Sequence, residues 1–345
     1  MHCEDMRKIL LAPTAFVWGL LLVVCACGDG AGPVALRETA VLVETTNLRA
    51  LDPTTEGSYE AWVTGQDGSI RSAGRFTPSA SGTVTVKSPI ESPARLSITL
   101  ELPGDSDSEP SPHDIIGGVF DNGVASLSIR RHVTGVSDFE SDPGHHALFT
   151  PSNNPEFSFP SREDSGIWVF APSPSQTKHN NHFLRLTPLR AGWIYEGWIV
   201  YEYGTANECW VSYGKFLPDN FSEANSRDDT GLGVFSGQQD YVNALPFDVD
   251  MPGDDWVDNI HGLPVPCGLT LPFDLNGDID DGILSPWTHV ITVEPISDRG
   301  EGPLEERPFL IQPYRNPFGE GPPNEGRPVL LNPDRIPSGT ATIQN

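Results

Sequence analysis

The strongest constraint on the fold of this chain is a short block of residues that occurs twice. Tyr59–Val63, with the sequence YEAWV, returns as Tyr195–Ile199, with the sequence YEGWI. A Gly-x-Phe element follows each block, at Gly74–Phe76 and at Gly214–Phe216. An ordered repeat of this kind indicates two structural units of one design. We therefore predict that the chain contains an internal duplication.

Apolar residues within each unit come in short runs that alternate with polar residues. Leu96–Leu102 is the clearest run, because every second residue in it is apolar. The chain also contains 34 glycines and 33 prolines, which separate these runs, and helical periodicity is almost absent. This pattern is typical of antiparallel sheets with one buried face. The sequence predicts an all-β protein with two tandem antiparallel β-sandwich domains.

The two copies set the predicted domain boundaries. The first sandwich is expected over residues 38–133, followed by a linker with an edge strand over residues 134–163. The second sandwich is expected over residues 164–345, with Gly339–Ile343 as its last strand. It is enlarged by an acidic insertion over residues 218–284. A loop this long inside a domain is usually functional, tied down or disordered.

The first 27 residues predict a secretory signal, because a short basic start precedes the apolar run Ile9–Val24. The signal ends in Val24-Cys25-Ala26-Cys27, which resembles a bacterial lipobox. We expect Cys27 to be lipidated and to begin the mature chain, with residues 28–37 as a linker. The alternative is an uncleaved membrane anchor, since the run is nearly long enough to span a bilayer. Both interpretations place the protein in the cell envelope, outside the cytoplasm, on the periplasmic or the outer-membrane face.

The charge balance is strongly acidic, with 21 Lys and Arg against 47 Asp and Glu and a net charge of −26. Such a surface repels nucleic acid, which needs basic patches. It also repels anionic lipid, so membrane attachment is expected through the N-terminal lipid. The acidity is explained either by solubility alone or by a cationic partner. The sequence does not identify that partner, which is expected to be an envelope protein or a glycan.

Two cysteines remain after the signal and the lipidation site. Cys209 and Cys267 are expected to form a disulfide in an oxidising compartment, and the alternative is two buried thiols. Two sulfurs without nearby histidines are too few for a structural zinc site.

The aromatic residues of the two repeats are predicted to be core residues. The alternative is a sugar-binding role, because exposed Trp faces stack on ligands and acidic neighbours bind hydroxyls. Repetition favours the core interpretation, because folds repeat their cores more faithfully than their sites. The predicted core residues of this set are Tyr59, Trp62, Phe76, Tyr195, Trp198 and Phe216.

Calcium is the metal for which the sequence offers a candidate site. Asp274, Asn276, Asp278 and Asp280 stand at alternate positions and supply the oxygen ligands that calcium prefers. The spacing of Gly and Glu in an EF-hand loop is absent here. The alternative is a solvated acidic loop. No other cofactor is predicted.

No catalytic constellation is recognisable, so the chain is not expected to be an enzyme. The close histidine pairs, His145-His146 and His179/His182, lie in polar stretches and are expected to be exposed loop residues. Gly233–Gly237 places its serine wrongly for a nucleophile elbow.

The order of the elements in the first unit resembles a known family. Tyr59–Val63, Gly74–Phe76, Ser97–Glu101 with a following proline, and a final hairpin over Ile115–Ile129 resemble the extracytoplasmic C-terminal domain of anti-sigma-K factors. That domain is a β-sandwich with a Tyr-x-x-Trp strand, a Gly-x-Phe strand and a Thr-x-Glu-Pro strand. A diverged and enlarged form of the pattern covers roughly Gly166–Ile343.

The resemblance implies a sandwich with a sensing or interaction role in the envelope. Family members carry a sigma-binding segment and a membrane helix ahead of the sandwich, and we expect the sigma-binding segment to be absent here. The predicted function is therefore that of a non-catalytic envelope lipoprotein. Two alternatives remain, a calcium- or carbohydrate-binding accessory protein and an anti-sigma-type regulator of transcription.

Overall fold

The structure of the chain is a computed structural model. It describes residues 38–148, 150, 163–170, 185–216, 253–256, 265–276, 284–296, 308–318 and 326–344. The predicted signal over residues 1–27, the lipidation site Cys27 and the linker over residues 28–37 therefore lie outside the described residues. Throughout the described ranges, no helix has the length and apolar character needed to cross a bilayer.

The described chain is built from short strands. The strands are β1 (Thr39–Thr46), β2 (Ser58–Thr64), β3 (Ile70–Phe76), β4 (Thr83–Ser88), β5 (Arg95–Glu101), β6 (Asp114–Val119), β7 (Val124–Leu127), β8 (His145–Leu148), β9 (Gly166–Phe170), β10 (Trp193–Tyr201), β11 (Cys209–Phe216), β12 (Gly253–Asp255), β13 (Trp287–Pro295), β14 (Ile311–Pro317), β15 (Arg327–Pro328) and β16 (Ser338–Ile343). Short 3₁₀ helices occur at Glu163–Ser165, Pro266–Gly268 and Pro333–Arg335. All the pairings between these strands are antiparallel. The predicted all-β class is confirmed.

The first sandwich consists of two four-stranded sheets, with the orders β3-β2-β5-β6 and β4-β1-β16-β7. Alternate residues of each strand point into the space between the sheets. Val41 and Val43 of β1 are fully buried there, as are Ala61 and Val63 of β2 and Ile98 of β5. The alternating runs predicted from the sequence thus form the core of this sandwich.

The second sandwich also has two four-stranded sheets, with the orders β11-β10-β13-β14 and β12-β9-β8-β15. Its core is rich in aromatic residues, among them Tyr195, Tyr213, Trp256, Phe273 and Tyr314. The linker predicted to carry an edge strand contributes β8, which is an inner strand instead, because it pairs with β9 along four residues on one side and with the two-residue β15 on the other.

The last strand, β16, does not close the second sandwich, and the sequence prediction for Gly339–Ile343 is wrong in this respect. β16 lies between β1 and β7 in the first sandwich, with Val43 opposite Ala341 and Ala125 on its other side. The strand consists of small and β-branched residues, which match many strand positions equally well. Tertiary pairing decided its place. The other domain boundaries stay predictions, and all the strands belong to one compact unit, Leu36–Asn345.

The sheets β3-β2-β5-β6 and β11-β10-β13-β14 have the same strand order and the same irregularity. The register of the first strand pair shifts between Ala61 and Trp62 in one sheet and between Gly197 and Trp198 in the other. A bulge at the same position of both repeats indicates one local design. An origin by duplication stays a prediction that agrees with this geometry.

The two sandwiches meet where β6 approaches the start of β10. The indole nitrogen of Trp193 donates to the Asp114 carbonyl at 3.2 Å. The ring of His113 lies edge-on against Trp193, and its Nε2 is 2.8 Å from the Ile296 carbonyl oxygen. Gly192, with φ +95°, allows the chain to pass close to the Pro112 carbonyl. These contacts hold the sandwiches together on one side.

Candidate functional site

A buried polar network lies on the outer face of sheet β3-β2-β5-β6. The indole nitrogen of Trp62 donates to the Thr99 hydroxyl at 2.9 Å, and that hydroxyl donates to the carboxylate of Glu101. The indole nitrogen also lies 3.4 Å from the same carboxylate oxygen. All three side chains are buried. Buried polar groups are stable only when they have such partners.

The same network occurs in the second sandwich. The indole nitrogen of Trp198 donates to the Thr292 hydroxyl at 2.9 Å, and Thr292 donates to the carboxylate of Glu294. Trp198 also packs edge-on against Trp210. The repeated Trp and the Thr-x-Glu element therefore act together, although they are far apart in each sequence copy.

The glutamates of these networks also hold the segment that leads to the next strand. The Glu101 carboxylate lies 3.4 Å from the backbone nitrogen of Ser111, just before β6. The Glu294 carboxylate accepts two hydrogen bonds from the Phe309 amide, at 2.9 and 3.0 Å, just before β14. Each glutamate thus ties a loop to the outer face of its sheet.

A second branch of each network explains the Gly-x-Phe element. Ser72 donates to Glu60, and its hydroxyl accepts the Gly74 amide at 3.0 Å. Gly74 has φ 105°, a left-handed conformation that glycine adopts without steric cost. In the second sandwich, Gly214 has φ 109° and donates to the Ser212 hydroxyl at 3.0 Å. The bulge therefore requires glycine in both copies.

The acidic residue after each repeated Tyr is paired with a cation. The Arg75 side chain lies 3.0 Å from the Glu60 carboxylate, at the edge of the sheet. In the second copy, Lys215 lies 3.8 Å from Glu196, and both side chains are about 95% buried, with exposures of 5% and 4%. A buried pair of this kind is costly to break, because the remaining charge loses its partner.

Burial and the neighbouring Asp105 raise the pKa of Glu101 to about 7. The hydrogen bond that Asp105 makes with Glu101 lowers the pKa of Asp105. Glu101 therefore changes its protonation state near neutral pH, although it lies on a β-strand rather than in a cleft.

The predicted core aromatics lie in equivalent places in the two sandwiches. Tyr59 stacks on Phe76, and its hydroxyl donates to the Arg49 carbonyl at 3.0 Å. Tyr195 stacks on Phe216, and its hydroxyl donates to the Thr187 carbonyl at 2.8 Å. Among the six predicted core aromatics, which also include Trp62 and Trp198, Phe76 is half-buried and the other five are buried.

The sugar-binding interpretation required exposed tryptophan faces, and these tryptophans have none. Trp62 and Trp168 are 3% exposed, Trp193 is 1% exposed and Trp198 is fully buried. They cannot stack on a ligand, so the repeated tryptophans do not form a sugar platform.

The core of the second sandwich contains a polar cluster that sequence reasoning missed. The Tyr213 hydroxyl is hydrogen-bonded to Nε2 of His289 at 2.9 Å, and the His289 ring lies 4.8 Å from the His146 ring. His146 lies on β8 and is fully buried, so its predicted exposed loop position is wrong. The strand forms because the segment pairs with β9, which polar sequence alone did not indicate. We name Tyr213, His289 and His146 the core histidine cluster.

Burial lowers the pKa of both histidines in the core histidine cluster. The pKa of His289 falls to about 3, and that of His146 lies well below its usual value. Among the described residues, neither ring nitrogen of His146 has a hydrogen-bond partner. Both rings are therefore neutral at physiological pH.

One glycine makes room for this cluster. A Cβ atom on Gly197 would lie 1.7 Å from the Tyr213 ring. The first copy has Ala61 and Ala73 at the corresponding positions. This pair of differences was the sequence signal for the cluster. Tyr213 is larger than its counterpart Ala73, and Gly197 is smaller than its counterpart Ala61, which indicates that the two residues are neighbours.

The two predicted disulfide cysteines are adjacent in space. Cys209 at the start of β11 and Cys267 have Cα atoms 6.2 Å apart and sulfur atoms 2.02 Å apart. This Cα separation lies within the usual range for a disulfide. The pair would join β11 to the insertion.

The candidate calcium residues are only partly described. Asp278 and Asp280 lie outside the described residues. Asp274 is exposed and accepts the Asn276 amide at 3.1 Å. The Asn276 side-chain oxygen accepts a hydrogen bond from Arg327 at 2.7 Å, so a cationic side chain already occupies it. Within the described ranges, no group of three or more His, Cys, Asp or Glu side chains is arranged to hold a metal ion.

Comparison with known families supports the resemblance of the first unit. The family model described as "Anti-sigma-K factor rskA, C-terminal" matches residues 29–116. The match includes β1 to β5 and the Trp62–Thr99–Glu101 network. The predicted resemblance of this unit to the anti-sigma-K C-terminal domain is thereby confirmed. No curated protein and no solved structure matches the chain.

Proposed function

We propose that this chain is a non-catalytic lipoprotein of the cell envelope with an interaction or sensing role, like the extracytoplasmic domain of an anti-sigma factor. The family match over residues 29–116 carries the proposal. The matched region contains the network of Trp62, Thr99 and Glu101 on the outer face of one sheet. These polar side chains bond to one another, which supports a structural role for them over a catalytic one.

Several observations support a binding role over catalysis. Trp62, Thr99 and Glu101 bond to one another and are buried, which leaves no open cleft between them. The chain carries a net charge of −26, which favours a cationic partner over nucleic acid. The partner class we propose is an envelope protein.

Attachment to the membrane is proposed through lipid on Cys27. The test is fractionation of cells that express the wild-type chain or the Cys27→Ser variant. We expect the wild-type protein in the detergent-soluble membrane fraction and the variant in the soluble fraction. Unchanged partitioning, together with absence of incorporated fatty acid in the wild type, would contradict the lipid anchor.

The sensing role is tested by deletion of the gene and comparison of transcripts under envelope stress. We expect the deletion to change a defined group of transcripts, and complementation with the wild-type chain to restore them. If those genes depend on one sigma factor, the regulatory alternative is supported. Identical transcripts in the deletion and wild-type strains, across acid, osmotic and antibiotic stress, would contradict sensing.

The interaction role has a separate test. A photo-crosslinking residue placed at Arg71 on the exposed strand β3 is expected to capture one discrete envelope protein. Lys87 on β4 provides an exposed control position on the other sheet. Absence of any adduct from both positions, one on each sheet of the first sandwich, would contradict an interaction role of that sandwich.

Calcium binding at Asp274, Asn276, Asp278 and Asp280 stays a second proposal. If calcium binds there, millimolar calcium will raise the melting temperature and a chelator will reverse the rise. The Asp278→Asn variant serves as the matched comparison. An unchanged melting temperature of the wild type on addition of calcium would contradict a calcium site at these residues.

A further inference from the structure

The strand β16 is an inner strand of the sheet β4-β1-β16-β7, whose other strands all come from the first 127 residues of the chain. It pairs with β1 along six residues, from Val41 opposite Ile343 to Thr46 opposite Ser338. On its other side it pairs with β7 along four residues. Without β16, both β1 and β7 would expose unpaired edges to solvent, which is a template for another strand. We name the space between β1 and β7 the strand groove.

Main-chain pairing provides most of the contact in the strand groove. Ala341 is the one residue of β16 that is fully buried, whereas Ser338 and Thr340 are exposed. Gly339 lies so close to β1 that a Cβ atom would be 2.4 Å from the Glu44 carbonyl oxygen. The groove therefore accepts an extended segment with small residues at alternate positions. Such recognition relies on backbone hydrogen bonds, as in strand addition to a sheet edge.

A short segment carries β16 from one sandwich to the other. The chain is anchored on the second sandwich by β15 and by the Asn332 amide, which donates to the Pro313 carbonyl at 2.7 Å. The next anchor is on the first sandwich, where the Asn47 side chain donates to the Ile336 carbonyl at 2.9 Å. The crossing thus takes place between residues 332 and 336, which include the 3₁₀ helix Pro333–Arg335.

We propose that the strand groove is a strand-acceptor site and that two copies of this chain associate by exchanging β16. Each copy already carries a strand that fits the groove, so an exchanged dimer repeats every pairing of the monomer. Exchange of an identical element is a low-cost route to a dimer, and short hinges favour it. This proposal is independent of the proposed envelope role, because it rests on strand pairing alone.

The test uses two variants of the chain from Gly28, which retains the whole compact unit, and each variant adds one cysteine to the native pair Cys209 and Cys267. Leu42 and Thr342 lie directly opposite each other in the register, and both are half-buried. Leu42→Cys and Thr342→Cys proteins are mixed, incubated below the melting temperature and oxidised. Exchange is expected to produce a covalent dimer that contains one copy of each variant, in an amount that rises with protein concentration.

Two controls make the result specific. Ser338→Cys replaces Thr342→Cys in the off-register control, because it lies about 13 Å further along the strand. It is expected to give no dimer above background. The double variant Leu42→Cys/Thr342→Cys is oxidised as a dilute monomer before the incubation, so it is expected to cross-link within one chain and then to stay monomeric, because its β16 can no longer exchange. The proposal is overturned if the double variant cross-links while the mixed variants stay monomeric, or if the off-register pair cross-links equally well.

Discussion

At the scale of single residues, the two sandwiches share their outer-face networks and differ in the cores beneath them. Trp62 and Trp198 make the same hydrogen bond to a threonine on the neighbouring strand. In contrast, the core of the second sandwich contains the imidazole of His289, which is hydrogen-bonded to Tyr213, where the core of the first sandwich is apolar. Buried imidazoles with a lowered pKa make the protein less stable in acid, whereas a carboxylate with a raised pKa makes it less stable as the pH rises.

The core histidine cluster predicts loss of stability in acid. The pKa of His289 is about 3 in the folded protein, and burial lowers the pKa of His146 well below its usual value. The unfolded chain binds protons at these residues below about pH 6.5. The free energy of unfolding should therefore fall between about pH 6.5 and pH 3, by about 2 kcal/mol at pH 5 from His289, and His146 should contribute a fall in the same direction. Urea titrations at several pH values measure this fall.

The matched variant for this prediction is His146→Leu, which removes one of the two imidazoles. Its free energy of unfolding should fall less steeply with acid than that of the wild type, by about one proton. The slope is the decisive quantity, because the substitution also changes packing. Identical slopes for the two proteins would show that His146 does not take up a proton on unfolding.

Glu101 predicts the opposite dependence on pH. Its pKa is raised to about 7 in the folded protein, so the folded state holds a proton that the unfolded state loses above about pH 4.5. Its contribution is therefore present below pH 4.5 and is lost as the pH rises to 7. Glu101→Gln should be more stable than the wild type at pH 8, by about 1–3 kcal/mol, and equal to it at pH 4. A constant difference across this range would contradict the raised pKa.

At the scale of strands, the bulge and the glycine opposite it decide what each core can contain. β2 and β10 have the same register with their neighbours, but Gly197 stands where the first copy has Ala61. The missing Cβ leaves space for the Tyr213 ring. The two copies therefore have the same backbone geometry and different core chemistry.

A double-mutant cycle tests this packing. Gly197→Ala should destabilise the second sandwich by about 1–3 kcal/mol, because the added methyl group overlaps the Tyr213 ring. The same change in a Tyr213→Ala background should cost almost nothing, since alanine replaces both residues as in the first copy. Chemical denaturation of the four proteins measures the coupling. Additive effects would mean that the two residues do not compete for space.

The cysteine pair predicts a stabilising crosslink between β11 and the insertion. We expect Cys209 and Cys267 to resist alkylation until a reductant is added. Replacement of both by serine should lower the free energy of unfolding by about 2–4 kcal/mol, which is typical of a disulfide. Free reactivity of both thiols in the unreduced protein would disprove the bond.

At the scale of the whole molecule, β16 joins the end of the chain to its first sheet. β15 pairs with β8 in the second sandwich, and β16 pairs with β1 and β7 in the first. The contacts of Trp193 and His113 join the sandwiches in a second place. Because β16 completes the first sandwich, that sandwich should not keep its full stability when the strand is displaced.

Gly339→Val tests the contribution of β16 to the first sandwich. A side chain at this position collides with the Glu44 carbonyl oxygen on β1, so β16 must move away. We expect a lower melting temperature and faster hydrogen exchange at the amides of β1 and β7, with smaller changes in β10 and β13. Thr340→Val, at the exposed neighbouring position, is the control and should change stability by less than about 0.5 kcal/mol. Equal exchange rates in both variants would argue against a structural role of β16.

Local sequence patterns determined the fold class, the equivalent strands and the aromatic core of this protein. Alternation in runs such as Leu96–Leu102 reflects burial of one sheet face, and the repeated Tyr and Trp occupy equivalent buried places. The Thr-x-Glu element was visible as a family feature, but its bond to the distant Trp was not. A hydrogen bond between two neighbouring strands that are far apart in the sequence depends on register, which a linear pattern does not encode.

Only the tertiary structure decided where the C-terminal strand lies and how the core histidine cluster forms. Gly339–Ile343 has a strand pattern in which Ile343 is the one large apolar residue, so little in the local sequence distinguishes one open sheet position from another. His146 stands in a polar stretch and becomes buried because β8 pairs with β9 and faces His289. Pairing between distant segments determines both results, since backbone hydrogen bonds carry little information about side-chain identity.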